Sequence, residues 1–156
     1  MANYALTNGS GTQQPTAAAY TGALLGVTAG TPGGRRIKVY DVLIGTNGLP
    51  ADNFVEWSID RVTTGSSATV VVPNPLDTAD APAVAVCTAN SSTGGTVVAT
   101  GQVFYVGVNQ RASYRWVAAP GSELVSPAVA ASGFQLRIRS GGYLGTATGT
   151  LLFQEQ

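Results

Sequence analysis

The side chains that could do chemistry in this chain are few, and the kinds that are missing say as much as the kinds present. There is no histidine, and Cys87 is the only cysteine. Histidine is the commonest general base and the commonest metal ligand, so its absence removes the usual serine and thiol triads and structural zinc sites. Two carboxylates suffice for glycoside hydrolysis, and the candidates are Asp41, Asp52, Glu56, Asp60, Asp77 and Asp80. Glu56 and Asp60 fall on the polar face of one strand pattern, either side of Trp57, where a solvated face explains them better than a sugar cleft. Asp77 and Asp80 sit in a predicted helical turn without the dense oxygen ligands of a dedicated calcium site. The glycine-rich stretches are not followed by Lys-Ser or Lys-Thr, so phosphate-loop nucleotide binding is excluded. No catalytic, cofactor-binding or metal-ligating set emerges, and the reading is that of a non-enzyme without cofactors.

The cations are more informative. Arg111 and Arg115 alternate with Ala112, Tyr114 and Trp116, and Arg137 and Arg139 alternate with Phe134, Leu136 and Ile138. Both pairs therefore lie on polar strand faces, either solvated or forming an intersubunit face, since the guanidinium fork suits interfaces. On that pattern Tyr114 and Trp116 belong to the apolar, core-facing side. Arg35, Arg36 and Lys38 make a smaller basic patch that could seat on an acidic partner. Cys87, inside the apolar run Ala83 to Cys87, reads as a small buried hydrophobe.

Composition limits the partners. Eight Lys and Arg balance eight Asp and Glu, and only 10% of the 156 residues are charged. A nucleic-acid binder carries a basic excess to replace phosphate counterions, so binding to DNA, RNA or an anionic membrane is not expected. No apolar stretch approaches the roughly 18 residues needed to cross a membrane, and the start Met1-Ala2-Asn3-Tyr4 lacks signal-peptide character, which implies a product made in the cytoplasm. A charge-poor surface rich in Thr, Ser and Ala suits a protein packed against neighbours.

These side chains must be positioned by strands. Residues 1–34 carry no charge and are rich in Gly, Thr, Ala, Ser and Gln, so they read as an extended N-terminal arm. That arm would fold over its own domain or over a neighbouring subunit, with Tyr20, Leu24 and Leu25 as its contact residues. From residue 35 to 156, short β patterns alternate with turns. Val55, Trp57 and Ile59 share one face, and Ala68 to Val72 is β-branched up to Pro73. Asn74-Pro75-Leu76-Asp77 predicts a helix start, limited to a turn or two by Pro82. About eight strands with almost no helix predict an all-β, antiparallel β-sandwich, most naturally a jelly roll.

Three stretches carry a resemblance. They are Tyr40-Asp41-Val42-Leu43-Ile44-Gly45-Thr46-Asn47-Gly48, Phe104-Tyr105-Val106-Gly107-Val108-Asn109-Gln110-Arg111-Ala112-Ser113-Tyr114-Arg115-Trp116, and Gly145-Thr146-Ala147-Thr148-Gly149-Thr150-Leu151-Leu152-Phe153. Together they span most of residues 35–156, and this region resembles the small jelly-roll head decoration, or cement, proteins of tailed bacteriophages. The resemblance implies a structural virion protein on the outer surface of an icosahedral head, often a trimer, that binds major capsid subunits and clamps the shell. The motifs are structural and carry no chemical signature. A rival reading is a glycan- or receptor-binding β-sandwich on the phage head or tail, with Trp57, Tyr105, Tyr114, Trp116 and Tyr143 as candidate stacking rings.

Overall fold

A computed structural model describes residues 1–9, 12–13, 22–31, 34–47, 50–140 and 146–156. The strands are β1 (Asn3–Thr7), β2 (Thr12–Gln13), β3 (Ala23–Thr28), β4 (Ile37–Asn47), β5 (Phe54–Val62) and β6 (Asn74–Pro75). They continue as β7 (Val86–Ser91), β8 (Val97–Asn109), β9 (Tyr114–Val117), β10 (Leu124–Val125), β11 (Gly133–Ser140) and β12 (Thr146–Glu155). All pair antiparallel in two sheets. One runs β10-β4-β12-β1-β6, with β9 also on β4 and β2 on β12, and the other runs β7-β3-β11-β5-β8.

Eight of these strands form the frame, β1-β12-β4-β9 in one sheet and β3-β11-β5-β8 in the other. Apart from β5 followed by β8, each successive frame strand crosses to the opposite sheet, which is jelly-roll connectivity. The predicted antiparallel sandwich is the observed fold.

Alternation builds the core. β12 is buried at every second residue, presenting Ala147, Gly149, Leu151, Phe153 and Glu155 inward. Trp57, Tyr4, Phe134 and Phe153 are the largest side chains sealed between the sheets, each burial contributing about 2–3 kcal/mol. In β4 the pattern changes phase. Val39 pairs with Phe153 and Asp41 with Leu152, so Tyr40 is an extra residue, a β-bulge. Ile37 and Val39 face inward before it, Val42 and Ile44 after it.

Two stretches of the region read as an arm are strands of the frame. β1 pairs with β12 along its length and sends Tyr4 and Leu6 into the core, while β3 lies between β7 and β11. Leu24 and Leu25 are fully buried there, so neither presents a surface to a partner. Tyr20 and Tyr143 lie outside the described residues.

The helix predicted from Asn74 does not form. Val72 and Asn74 each precede a proline, which biases both toward the extended backbone that a strand also uses. Asn74 and Pro75 pair with Ala5 and Tyr4 as an edge strand, and Leu76 N donates to Asn3 O at 2.8 Å. Asp77 then accepts from Ala79 N through its own side chain at 2.9 Å, a local turn that competes with a helix.

Candidate interaction surfaces

The outer face of the β3-β11-β5-β8 sheet holds a polar constellation. β5 turns Glu56, Ser58 and Asp60 outward, and β11 turns Gln135, Arg137 and Arg139 outward, with Gln135 opposite Asp60 and Arg137 opposite Ser58. Period two alone predicts a solvated face. Ser58, Asp60 and Gln135 are nevertheless at most 1% exposed. Neighbouring loops account for part of the cover: Gly95 N donates to Gln135 Oε1 at 2.9 Å, Ser66 Oγ meets Thr88 Oγ1, and Ser67 bridges Thr93.

A carboxylate with no water around it needs cations. Arg137 Nη1 lies 3.3 Å and Arg139 Nη1 3.9 Å from Asp60 Oδ2, while Ser58 Oγ donates to the same oxygen at 3.3 Å. Arg137 also reaches the carbonyl of Gly22 through Nε. Asp60 Oδ1 and Gln135 Nε2 are buried without a hydrogen-bond partner among the described residues, on cross-strand neighbours. Such atoms each cost stability. Further along, the hydrogen bond to Glu56 pushes the Tyr105 phenol up, helped by desolvation.

The outer face of the other sheet centres on a fork. Arg115 grips Asp41 through Nε–Oδ1 at 3.1 Å and Nη2–Oδ2 at 2.6 Å, the bidentate geometry guanidinium prefers. That pairing raises the Arg115 pKa, through its hydrogen bond first and its charge second. Two shallow hollows of about 180 and 110 Å³ flank the fork and share Leu43 and Thr150 in their walls. Lys38 Nζ meets Glu123 Oε1 at 3.0 Å, and Glu123 is held below its ordinary pKa by its own backbone N–H and by Lys38. At the end of the sandwich the side chain of Glu155, fully buried, accepts from Ala85 N at 2.6 Å and pairs with Arg35 at 3.3 Å.

Tyr114 and Trp116 differ from their expected place in the core. β9 is an edge strand, so its apolar side lines the flank between the sheets. There Phe104 meets Tyr114 at 6.1 Å and Trp116 at 5.9 Å between ring centroids. Tyr114 stays 36% exposed and Trp116 is half-buried.

Of the basic residues singled out by the sequence, Arg35, Lys38, Arg115, Arg137 and Arg139 thus face acids within the chain, the last two sharing Asp60, while Arg36 and Arg111 lie on the exposed surface. Asp41 and Asp60 were singled out only as candidate carboxylates; their pairing with Arg115 and Arg137, and the roles of Glu123 and Glu155, were missed. Asp60 and Arg137 are far apart in sequence, and only the β5–β11 register brings them together. Among the described residues no three His, Cys, Asp or Glu side chains are grouped to hold a metal ion. The arrangement offers contact surfaces on both faces. The chain matches no protein-family model, no curated protein and no solved structure.

Proposed function

We propose that this chain is a non-catalytic structural protein that decorates and cements an icosahedral phage head by binding major capsid subunits on its outer surface. The observation that carries the reading is the internal neutralisation of charge. Four acids, Asp41, Asp60, Glu123 and Glu155, engage five cations, Arg115, Arg137, Arg139, Lys38 and Arg35, leaving charge-poor faces in a chain of which only 10% is charged. Such faces suit close packing on a protein lattice and give a polyanion little to hold. The resemblance of the three stretches around β4, β8–β9 and β12 supplies the virion setting.

Clamping works by mass action. A ligand that binds the assembled shell and not its separated subunits stabilises the shell, by about 2.7 kcal/mol per site at a hundred times the dissociation constant. The test is cosedimentation of the purified chain with expanded heads of the source particle, followed by thermal melting of those heads. Saturable binding with a raised melting temperature supports cementing. Failure to bind, or binding without a shift, rejects it.

The Phe104, Tyr114 and Trp116 cluster favours a second reading, a glycan- or receptor-binding module, because half-exposed rings can stack on sugars. A glycan array probed with the chain and with Trp116→Ala tests it. Signals lost in the variant support it, and an empty array removes it.

A further inference from the structure

A sheet edge presents a row of unpaired backbone N–H and C=O groups. Natural sheets protect such edges with short strands, proline, charge, bulges or a covering segment. Among the described residues nearly every edge of this sandwich is protected. β2, β6 and β10 have two residues each, β6 includes Pro75 directly after Pro73–Asn74, and β9 has four residues. The outer side of β7 is covered: Val70 bridges Thr88, and Val71 N donates to Cys87 O at 2.9 Å.

β8 is different. It has 13 residues, pairs among the described residues only with β5, and contains no proline. No charged residue occurs anywhere from Ala81 to Gln110. Its first half is interrupted by register shifts, whereas Phe104 to Asn109 runs in regular register against Ile59 to Phe54.

The register also fixes which groups face outward. Gln110 N donates to Asn53 O at 2.8 Å, so Val108, Val106 and Phe104 turn their backbone groups toward β5. Tyr105 and Gly107 turn theirs away from the sheet. Both are exposed, Tyr105 at 48%.

We propose that β8 pairs antiparallel with β8 of a second copy of this chain, about a twofold axis through Val106. In that register Tyr105 of each copy stands opposite Gly107 of the other. Each such pair exchanges two N–H···O bonds, so the free groups of both strands are satisfied reciprocally. The Gly107 position, lacking a side chain, leaves room for the opposite tyrosine ring, a pairing known to suit glycines in strands. The strand carries no charge that would repel its own copy, and the chain's formal net charge is zero. The two five-stranded sheets become one continuous sheet. The contact is isologous and closes as a dimer. It is independent of the capsid reading, whose resemblance implies trimers.

The test is light scattering on the purified chain over a range of concentrations, with Gly107→Pro and Gly107→Asp alongside. Proline removes an N–H that β5 does not use, a position where edge strands tolerate it. Aspartate sets like charges diagonally across the axis. The wild-type chain is expected at twice its 15.8 kDa mass, with slow amide exchange at Tyr105 and Gly107. Both variants are expected to weaken the dimer, Gly107→Pro by about thirtyfold for its two lost hydrogen bonds and Gly107→Asp through the repulsion of its two carboxylates. Should Gly107→Pro misfold, Gly107→Asp decides. A monomer at all concentrations, a trimer, or a dimer that survives both substitutions overturns the proposal and leaves head binding to be judged by its own experiment.

Discussion

Asp60→Ala probes the one fully buried carboxylate that two cations share. The Asp60 side chain is 0% exposed, its nearest partner Arg137 only 13% and Arg139 39%. At 3.3 Å and an effective dielectric of about 20, the attraction to Arg137 is about 5 kcal/mol before desolvation is subtracted. Removing the carboxylate leaves Arg137 charged and nearly sealed from water, a loss that runs to about 3–5 kcal/mol for buried pairs. Asp60 Oδ1 has no partner to lose, which puts the expected cost at the lower end, about 3 kcal/mol. With a urea slope of about 2 kcal/mol/M, the unfolding midpoint should fall by about 1.5 M. A double-mutant cycle should give about 2 kcal/mol of coupling with Arg137→Ala and under about 1 with Arg139→Ala, whose longer, wetter contact is screened. The paired replacement Asp60→Leu with Arg137→Met should recover most of the loss. A cost of Asp60→Ala below about 1 kcal/mol, or stronger coupling to Arg139 than to Arg137, would refute the account of this face.

Three further perturbations address other parts of the fold. Tyr4 is sealed in the core, its ring stacked on Phe153 at 5.4 Å and its hydroxyl donating to Ala81 O at 2.8 Å. Tyr4→Ala should therefore cost about 3–5 kcal/mol in urea unfolding, and a negligible change would mean that β1 is not an integral strand. A Cβ at Gly133 would lie 2.0 Å from Val27 O and 2.7 Å from Thr28 Cα, so Gly133→Ala should force β11 off β3 and cost about 3 kcal/mol, with faster amide exchange in β3. Burial pushes the Cys87 thiol from 9.0 up to about 12, with Glu155 adding to the shift. The folded chain thus keeps its thiol proton where the unfolded chain loses it. Stability from this group is whole below pH 9 and declines as the pH rises toward 12, so Cys87→Ala should show a shallower alkaline loss, and the native thiol should ignore Ellman's reagent at pH 8.

Much of the frame is legible because a strand between two environments must alternate. Val55, Trp57 and Ile59 in β5, and Phe134, Leu136 and Ile138 in β11, announce their strands and their inward faces. The same rule misreads the opposite faces. Ser58, Asp60 and Gln135 occupy polar positions yet are buried, because loops distant in sequence close over them. Tyr114 and Trp116 occupy apolar positions yet remain partly exposed, because β9 is an edge and its flank is closed by Phe104 alone among the rings in contact. The prolines at 73 and 75 were compatible with a capped helix and with an edge strand, and pairing with β1 selected the strand.

Fold class, the poverty of charge, the lack of histidine chemistry and the inward residues of the principal strands can be read along the chain, because they follow from residue type and a period of two. Which acid meets which arginine, which polar residues lose water and which strand edge stays open emerge on folding. Those depend on register and on the packing of segments far apart in the chain, and a one-residue change of register would send every side chain of a strand to the other face.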